Sequence, residues 1–440
     1  MTEESIAATA PPAEIIAAPV PAQPLRPVAS NERVALLDIL RGMALFGILA
    51  ANIRGFAGPA AAYFSPAKYW LAFHDRLAQA FIDTFIQGKF INIFAFLFGV
   101  GFAVQFERAA SRSGGFGRTY ARRLGVLLFF GLVHGMLIWW GDILLAYALL
   151  GFLLLFFRKR ADKTVVIWAL CCLFAPLLFI TLFYLAATFG NAGPPPFPEA
   201  TSEMLAKLTN IHANGSWLDI QKQRMQDVIQ YNWSFLPFFG IQVFGLFLTG
   251  VYAWRKRFFF PSAGQLPRYR RAMLWGLAFG ITWNVLVTAI RAIAEPPMMP
   301  TEFTELLLWT VAIFATPALS LGYVCLIIVL VHQPAWERRL RVFAPLGRTA
   351  LTNYLLQSVI GTLIFYNYGL GFFGQAGPAL LLPVTIVIYA LQVLASKWWL
   401  DRYRFGPVEW LWRRMTYPGA LPMRRASAVT ATPPVEPAIG

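Results

Sequence analysis

Ten apolar stretches separated by short polar segments constrain the fold of this chain more than any other feature. A helix that crosses a bilayer needs about 20 predominantly apolar residues, within a range of roughly 17 to 25. The stretches cover residues 34–53, 90–106, 124–140, 143–157, 165–188, 235–254, 272–293, 306–331, 350–366 and 379–400. The fourth is short, but the polar pair Gly141-Asp142 before it predicts a tight turn between two spans. We therefore predict an all-α integral membrane protein, a bundle of about ten transmembrane helices.

The positions of Lys and Arg predict the orientation of these spans, because cytoplasmic loops carry an excess of both. Basic residues concentrate in the segments 107–123, 158–163, 255–271, 333–348 and 401–414. The alternate segments 141–142, 294–305 and 367–378 contain none, and the two longer connections are mixed. All basic segments fall on one side only if both termini are cytoplasmic, and we predict this topology.

The composition excludes two other classes of protein. Hydrophobic residues make up 58% of the chain and charged residues 13%, whereas soluble domains carry about 25% charged residues. The net charge of +16 is spread over short clusters between spans and does not form one basic face, so we expect no nucleic-acid partner. Cys171, Cys172 and Cys325 lie inside apolar stretches without metal-ligand spacing, so we expect no metal site.

Composition also divides the chain into five regions. We predict a disordered Ala/Pro-rich tail at 1–32, transmembrane regions at 33–188 and 234–418, an outer loop at 189–233 between them, and a second disordered tail at 419–440. The outer loop has a polar second half that is predicted to be helical. It is interpreted either as a cap over an outward-facing cavity or as a solvated connection, and we expect His212 within it to be solvated.

A second outer segment, 69–85, is predicted to be an amphipathic helix along the membrane interface. Its apolar residues recur at spacings of three and four, which gives one apolar stripe on a helix. These residues are Trp70, Phe73, Leu77, Phe81 and Phe85.

Ionisable side chains inside the spans are candidates for function, because each costs about 2.5 to 3.5 kcal/mol to insert. Asp38 and Arg41 are three residues apart in the first span, so they share a helix face and can pair. Asn52 lies eleven residues after Arg41, about three helical turns, and extends the same polar stripe. The stripe serves a ligand, or it is an orienting salt bridge at the inner interface.

The third span carries His134, with Arg123 eleven residues earlier on the same face and Asp142 at the turn that follows. Histidine is the commonest general base, and a neighbouring carboxylate can fix its tautomer and raise its basicity. His134 is therefore a candidate base. The alternative is a structural hydrogen bond between helices.

The ninth span carries a second polar stripe, suited to hydrogen bonds between helices or to lining a cavity. Its polar residues are Arg348, Thr349, Thr352, Asn353, Gln357 and Ser358.

Four ordered motifs resemble known membrane proteins. Residues 37–44, LDILRGMA, resemble the opening motif of membrane-bound acyltransferases. Residues 134–151, with His-Gly followed by Trp-Gly-Asp-Ile-Leu, are similar to the YeiB-like bacterial membrane proteins. So are GRTALTNY at 347–354 and GPVEWLWR at 406–413. The resemblance covers residues 33–417 and implies the uncharacterised YeiB-like family, within the transmembrane acyltransferase group related to heparan-alpha-glucosaminide acetyltransferase.

The resemblance also ranks the histidines. Acyltransferase-3 proteins place a catalytic histidine eleven residues after the motif arginine, where this chain has Asn52. The heparan group has asparagine there too, with a catalytic histidine in the following outer segment, a place that His74 loosely matches. His134 belongs to the YeiB-like motif, so it is the first candidate and His74 the second.

The implied function is a transmembrane acyltransferase of the bacterial inner membrane. It would move an acyl group from cytoplasmic acyl-CoA, a substrate and not a bound cofactor, to a cell-envelope acceptor on the outer side. His134 would act as general base or transient acyl carrier, held by Asp142.

The candidates for binding the donor and substrate are Asp38, Arg41, Asn52, Arg122, Arg123, Arg348, Asn353 and Gln357. The first three of these arginines would meet the donor phosphates, and the two asparagines would meet the developing oxyanion. The alternative function is a transporter or flippase that moves a small or lipid-linked molecule along the same polar path without chemistry.

Overall fold

The structure is a computed structural model that describes residues 34–64, 69–110, 116–190, 200–294, 300, 302–417, 419 and 422–425. Most of these residues are helical, and among them there is no β-strand beyond an isolated backbone bridge between Tyr403 and Arg424. The helices described are α1 Ala35–Ala57, α2 Ala60–Phe64, α3 Phe73–Phe85, α4 Lys89–Ala110, α5 Phe116–Val133, α6 Leu144–Phe157, α7 Asp162–Phe189, α8 Ser202–Asn214, α9 Trp217–Asp227, α10 Ser234–Arg255, α11 Leu266–Ala294, α12 Phe303–Val331, α13 Pro334–Leu340, α14 Ala344–Arg348, α15 Ala350–Phe365, α16 Pro378–Arg402 and α17 Pro407–Thr416. The predicted all-α class is confirmed.

Seven described helical segments are long and apolar enough to cross a membrane. They are Ala35–Ala57, Phe73–Ala109, Phe116–Ile138, Asp162–Phe189, Ala263–Ile293, Phe303–Val331 and Pro378–Arg402. An eighth is added if the bent pair Trp217–Trp233 and Phe238–Arg255 crosses as one span. The apolar helices α6 and α15 are shorter. Every predicted stretch thus coincides with a helix, so a multi-pass membrane protein is confirmed, while the number ten and the orientation of the termini stay predictions.

Helix α1 is the centre of the bundle, since 18 of its 23 residues are buried. It packs against α4, α14, α15 and α16. The crossing with α14 is very close: a Cβ atom on Gly347 would lie 1.8 Å from the carbonyl oxygen of Asp38. Only glycine fits there, because a methyl group would displace backbone and not a flexible side chain. Helix α7 is peripheral, with only five of its 28 residues buried.

Helix α3 confirms the predicted helix in the segment 69–85. It packs against α11 and α16, and only three residues separate it from α4. Phe73, Leu77 and Phe81 are exposed along one side, whereas Ile82 and Thr84 are buried. These three residues of the predicted stripe therefore face outward, as expected of a helix against lipid, whereas Trp70 precedes the helix and is buried at 6% exposed. The interfacial position of the helix stays a prediction.

Residues 200–233 form a packed unit that we call the cap, built from α8, α9 and a π-helical turn at Val228–Trp233. Ser216 and Asp219 form a reciprocal capping box at the start of α9, which satisfies backbone N–H groups in the first turn of this helix. The cap rests on the segment between α5 and α6, where Arg224 donates to the carbonyl oxygen of Leu137 at 2.7 Å. Residues 200–233 thus pack on the turn between α5 and α6, while an outward-facing cavity beneath them stays a prediction.

The expectation that His212 is solvated is wrong. Its side chain is 2% exposed, its Nδ1–H donates to the carbonyl oxygen of Leu208 at 2.9 Å, and its ring stacks on Phe373 at 4.6 Å. Burial, aided by the nearby Arg224, lowers the pKa of His212 to about 4. The polar residues around His212 in the sequence predicted a solvated side chain, but the imidazole ring points into the protein.

The predicted tail at 1–32 lies outside the described residues, as do the consecutive prolines of the outer loop. Of the second tail only residues 419 and 422–425 are described. There the backbone N–H of Arg404 donates to the carbonyl oxygen of Met423 at 2.9 Å, which ties this segment to the end of α16.

Candidate functional site

His134 lies where α5 passes into a π-helical turn, His134–Ile138. The wider turn ends when the backbone N–H of Trp139 donates to the carbonyl oxygen of His134 at 2.9 Å. The chain then reverses and enters α6, which packs closely on α5: a Cβ atom on Gly131 would lie 2.4 Å from the backbone nitrogen of Leu145. This close return brings Asp142 next to His134. Single π-helical turns of this kind often occur at functional sites.

Three polar side chains form a relay inside the bundle. His134 Nδ1 lies 2.7 Å from Asp142 Oδ1, and His134 Nε2 lies 2.8 Å from the Ser358 hydroxyl oxygen. The exposed fractions of His134, Asp142 and Ser358 are 0%, 5% and 1%. The predicted pairing of His134 with Asp142 is thus present, and Ser358 from α15 completes it.

The hydrogen-bond partners define the tautomer of His134. Asp142 is an acceptor on both oxygens, since Oδ2 accepts from the backbone N–H of Leu145 at 2.7 Å. An ionised Asp142 therefore requires the proton of His134 on Nδ1, which leaves Nε2 free to accept from the hydroxyl of Ser358. A histidine in this state is a general base directed at a serine hydroxyl, the arrangement that activates serine nucleophiles.

Aromatic side chains surround the relay and exclude water. The ring of Tyr354 lies 5.2 Å from the ring of His134, and its hydroxyl donates to the carbonyl oxygen of Gly141 at 3.4 Å. Trp139, 1% exposed, donates from Nε1 to the carbonyl oxygen of Gly55 at 3.0 Å. A buried relay with fixed partners has stronger electrostatic interactions than one in water.

A cavity of about 350 Å³ approaches the relay from one side. It runs along α1 from Arg41 to Asn52, eleven residues or about 16 Å. One end, which we call the basic end, is lined by Arg41, Arg108, Arg123, Arg348 and Arg413, together with Asp38 and Glu409. The middle is mostly apolar. The other end is lined by Asn52, Gly141, Ile143 and Tyr354.

The structure brings together five of the residues predicted for binding. Asp38, Arg41, Asn52, Arg123 and Arg348 all line this cavity. Arg41 Nη1 pairs with Asp38 Oδ1 at 3.1 Å, as the spacing predicted. The Arg123 guanidinium lies 3.5 Å from the ring centroid of Trp412, which fixes it at the cavity wall. Five arginines against two carboxylates among the described lining residues give the basic end an excess of positive charge.

Three other candidates lie outside the cavity lining. Arg122 is exposed, although Arg123 beside it lines the cavity. Asn353 donates to Ser396 Oγ at 2.9 Å, and Gln357 donates to Gln392 Oε1 at 2.9 Å. Both amides therefore join α15 to α16, which is the structural interpretation of this stripe.

His74 lies apart from the relay and the cavity. Its side chain is 73% exposed and 3.5 Å from Asp75 Oδ2. Asp75 in turn accepts from the backbone N–H of Ala379 at 3.0 Å and caps α16.

Sequence reasoning missed Ser358 as the partner of His134, although it named the polar stripe that contains it. It also missed Arg108, Arg413 and Glu409. Glu409 accepts a hydrogen bond from the backbone N–H of Thr352 at 2.9 Å and so fastens α17 to α15. Burial raises the pKa of the Glu409 carboxyl, and its hydrogen bonds to Thr352 lower it in part. Within the described ranges, no group of three or more His, Cys, Asp and Glu side chains could hold a metal ion.

Comparison with known proteins adds the family. Residues 253–419 match the family described as "Protein of unknown function (DUF418)". The chain is 35% identical over 420 residues to the uncharacterised protein YxaH of Bacillus subtilis (strain 168), and the alignment covers 92% of this chain and 99% of that protein. It is 31% identical over 393 residues to the uncharacterised protein YeiB of Escherichia coli (strain K12), covering 89% and 98%. Because this similarity spans nearly the whole of each chain, the protein belongs to the YeiB-like family that its four motifs predicted.

Proposed function

We propose that this protein is a transmembrane acyltransferase of the bacterial inner membrane. Its donor is an acyl-CoA at the basic end of the cavity, and its acceptor is a hydroxyl or amine that reaches the relay from the cap side. One observation carries the proposal: His134, held between Asp142 and Ser358, packs against Tyr354, which lines one end of a cavity whose opposite end is lined by five arginines. The bacterial relatives and the basic connecting segments support the inner membrane, with the basic end toward the cytoplasm.

The cavity matches the chemistry of an acyl-CoA donor. Arginine pairs with phosphate oxygens through two parallel hydrogen bonds, so the basic end suits the phosphates of CoA. The apolar middle suits the pantetheine arm and a short acyl chain. The thioester then lies near Asn52 and Tyr354, next to the ring that packs on His134.

His134 performs the proton transfers in this proposal. Nε2 takes a proton from the attacking hydroxyl, and Asp142 stabilises the imidazolium that forms. Asn52 lines the same end of the cavity and can donate its amide to the oxygen that becomes negative. Proton transfer by a positioned general base accelerates a reaction by about 100-fold to 10,000-fold.

A transporter or flippase is the second candidate function. An apolar cavity with a basic end would also accept an anionic lipid or a lipid-linked phosphate, which would cross without chemistry. The two functions differ in what His134 does, because only the acyltransferase needs a proton acceptor.

Donor binding is tested with adjacent arginines. We expect Arg123→Gln to weaken binding of acetyl-CoA or palmitoyl-CoA to the purified protein by about tenfold or more, since a charge-assisted hydrogen bond contributes about 1.5–3 kcal/mol. Arg122→Gln is the matched control, because Arg122 is exposed outside the cavity lining. Equal binding by both variants, or no binding by the unmodified protein, would remove acyl-CoA as the donor.

Chemistry is tested at His134. We expect His134→Gln to keep acyl-CoA binding and to lower the rate of CoA release, measured by chromatography, by about 100-fold or more. His332→Gln is the control, because His332 only donates to the carbonyl oxygen of Ile328 at the end of α12, at 2.7 Å. Normal release by the His134 variant would reject the proposed base, whereas flux of an anionic lipid into vesicles without CoA release would favour the transporter.

A further inference from the structure

We propose that Ser358 carries the acyl group as an ester between two half-reactions, a role that rests on the proposed acyl transfer. In the first half-reaction the acyl group moves from the CoA sulfur to Ser358 Oγ, and in the second it moves from Oγ to the acceptor. The covalent carrier removes the need for donor and acceptor to meet in one complex at a buried point.

The orientation of the Ser358 hydroxyl supports this role. Buried Ser and Thr side chains in helices can bond to the carbonyl oxygen four residues earlier. Ser320 and Thr385 do so in this bundle, at 2.8 Å to Thr316 and to Leu381 respectively. Ser358 instead directs its hydroxyl across 224 residues of sequence to His134 Nε2. The hydroxyl thus has its proton acceptor in place before any substrate binds.

The position of Ser358 along α15 places it between the two substrates. Tyr354, one helical turn earlier, lines the end of the cavity, and its ring packs on His134. Ser358 lies one turn further from the basic end. Tyr354 thus lies between the lining of the cavity and Ser358, and the proposed transfer requires the Tyr354 side chain to turn aside so that the thioester reaches Ser358 Oγ.

The half-reactions balance without a further reactant. Ser358 Oγ attacks the thioester carbonyl while His134 Nε2 takes the hydroxyl proton; the C–S bond then breaks, and Nε2 returns the proton to the sulfur to give free CoA. The acceptor oxygen or nitrogen next attacks the acyl-serine carbonyl and gives its proton to Nε2. The C–Oγ bond breaks, and Ser358 recovers its proton from His134.

The first experiment needs no knowledge of the acceptor. The purified full-length protein is incubated with acetyl-CoA, octanoyl-CoA or palmitoyl-CoA and, in parallel, with an alkyl fluorophosphonate, a reagent for activated serines. We expect intact-protein mass spectrometry to show one acyl or one phosphonyl group, and peptide mapping to locate it on Ser358. Labelling should be lost in Ser358→Ala, should fall by about 100-fold or more in His134→Gln, and should persist in Ser320→Ala, the matched control with a buried serine.

A cysteine variant separates the catalytic role from a structural one. Ser358→Cys keeps a nucleophile of similar size, and its adduct is a thioester, which neutral hydroxylamine cleaves rapidly, unlike the serine ester. A hydroxylamine-labile acyl group on residue 358 therefore confirms attack by this side chain, even if Ser358→Ala folds poorly.

The outcomes distinguish this inference from the proposed function. Normal acyl transfer in a folded Ser358→Ala variant, or an adduct on another residue, would overturn the carrier role and leave a direct transfer assisted by His134. The same holds if CoA is released in the presence of an acceptor but no label forms on Ser358 with any of the four reagents. Absence of both acyl-CoA binding and CoA release would overturn the proposed function itself.

Discussion

Replacing Asp142 by asparagine tests the tautomer of His134 without changing the shape of the site. Asp142 accepts two hydrogen bonds, from His134 Nδ1 at 2.7 Å and from the backbone N–H of Leu145 at 2.7 Å. An asparagine side chain has only one acceptor oxygen and one donor NH₂ group. Whichever way the amide is oriented, its NH₂ group therefore faces either His134 Nδ1 or the backbone N–H of Leu145.

The two orientations have different costs. If the amide oxygen faces His134, the backbone N–H of Leu145 meets the NH₂ group, and an unsatisfied buried donor costs about 1–3 kcal/mol of stability. If the oxygen faces Leu145, the NH₂ group donates to Nδ1 and forces the proton of His134 onto Nε2. Nε2 then donates to Ser358 and is no base. We expect the second orientation to dominate and acyl transfer to fall by up to about 10,000-fold, the loss known for a wrong tautomer in a serine, histidine and aspartate triad.

The assay is the release of CoA by purified protein in detergent, with melting temperature and acyl-CoA binding as checks of folding. Asp75→Asn is the matched control, because Asp75 also contacts a histidine, His74, and a backbone N–H, that of Ala379, but lies outside the cavity lining. Acyl transfer by Asp142→Asn within twofold of the unmodified protein would refute the role of this carboxylate. Equal losses in both variants would show that the effect is a general one of charge removal.

Three further predictions concern the fold. Gly347→Ala should lower the free energy of unfolding by about 1–3 kcal/mol or more, because its methyl group meets backbone at the crossing of α1 and α14, whereas Gly264→Ala, with open space around it, should melt as the unmodified protein does. Histidine has a pKa near 6.5 in the unfolded chain and buried His212 one of about 4, so its contribution to the free energy of unfolding is complete above pH 6.5 and falls by about 3 kcal/mol as the pH drops toward 4. Between pH 7 and pH 4.5, the melting temperature of His212→Gln should therefore fall less than that of the unmodified protein. A reporter active only outside the cytoplasm should be active after Ile293 and silent after Lys256, and the reverse pattern would contradict the topology.

The spans were predictable because hydropathy and length are local properties of the sequence. Each apolar stretch coincides with a helix for that reason. The π-helical turn His134–Ile138 was not predicted, since one turn of wider helix does not change the apolar pattern around it. The burial of the cap was equally hidden. Arg224 is 1% exposed, and this was not predictable because its hydrogen-bond partner, the carbonyl oxygen of Leu137, lies 87 residues earlier in the chain.

The candidate site was predictable in part, for a geometric reason. His134 and Asp142 are eight residues apart across a tight turn, so their pairing followed from the sequence. The sequence did not predict which face of each helix packs against which neighbouring helix. Arg122 and Arg123 differ by about 100° around α5, and only Arg123 lines the cavity. Gln357 and Ser358 differ by the same angle on α15; Gln357 meets α16 and Ser358 meets His134.

The cap gives the relay a support that the spans alone do not provide. The π-helical turn and the segment after it present backbone carbonyl groups to the cap, and buried carbonyls need partners. Cap side chains supply them: Gln221 donates to the carbonyl of Met136, Arg224 to that of Leu137, and Asn232 to those of Trp140 and Asp142, the last at 3.0 Å.

The segment held by the cap also carries the two residues that define the base. His134 begins the π-helical turn, and Asp142 ends the reversal into α6. Because cap side chains bind carbonyls on both sides of this reversal, they hold the backbone on which the hydrogen bond between His134 and Asp142 depends. In the proposed reaction the acceptor would therefore enter beside the turn that orients the base, about 16 Å along α1 from the basic end where the donor phosphates would bind.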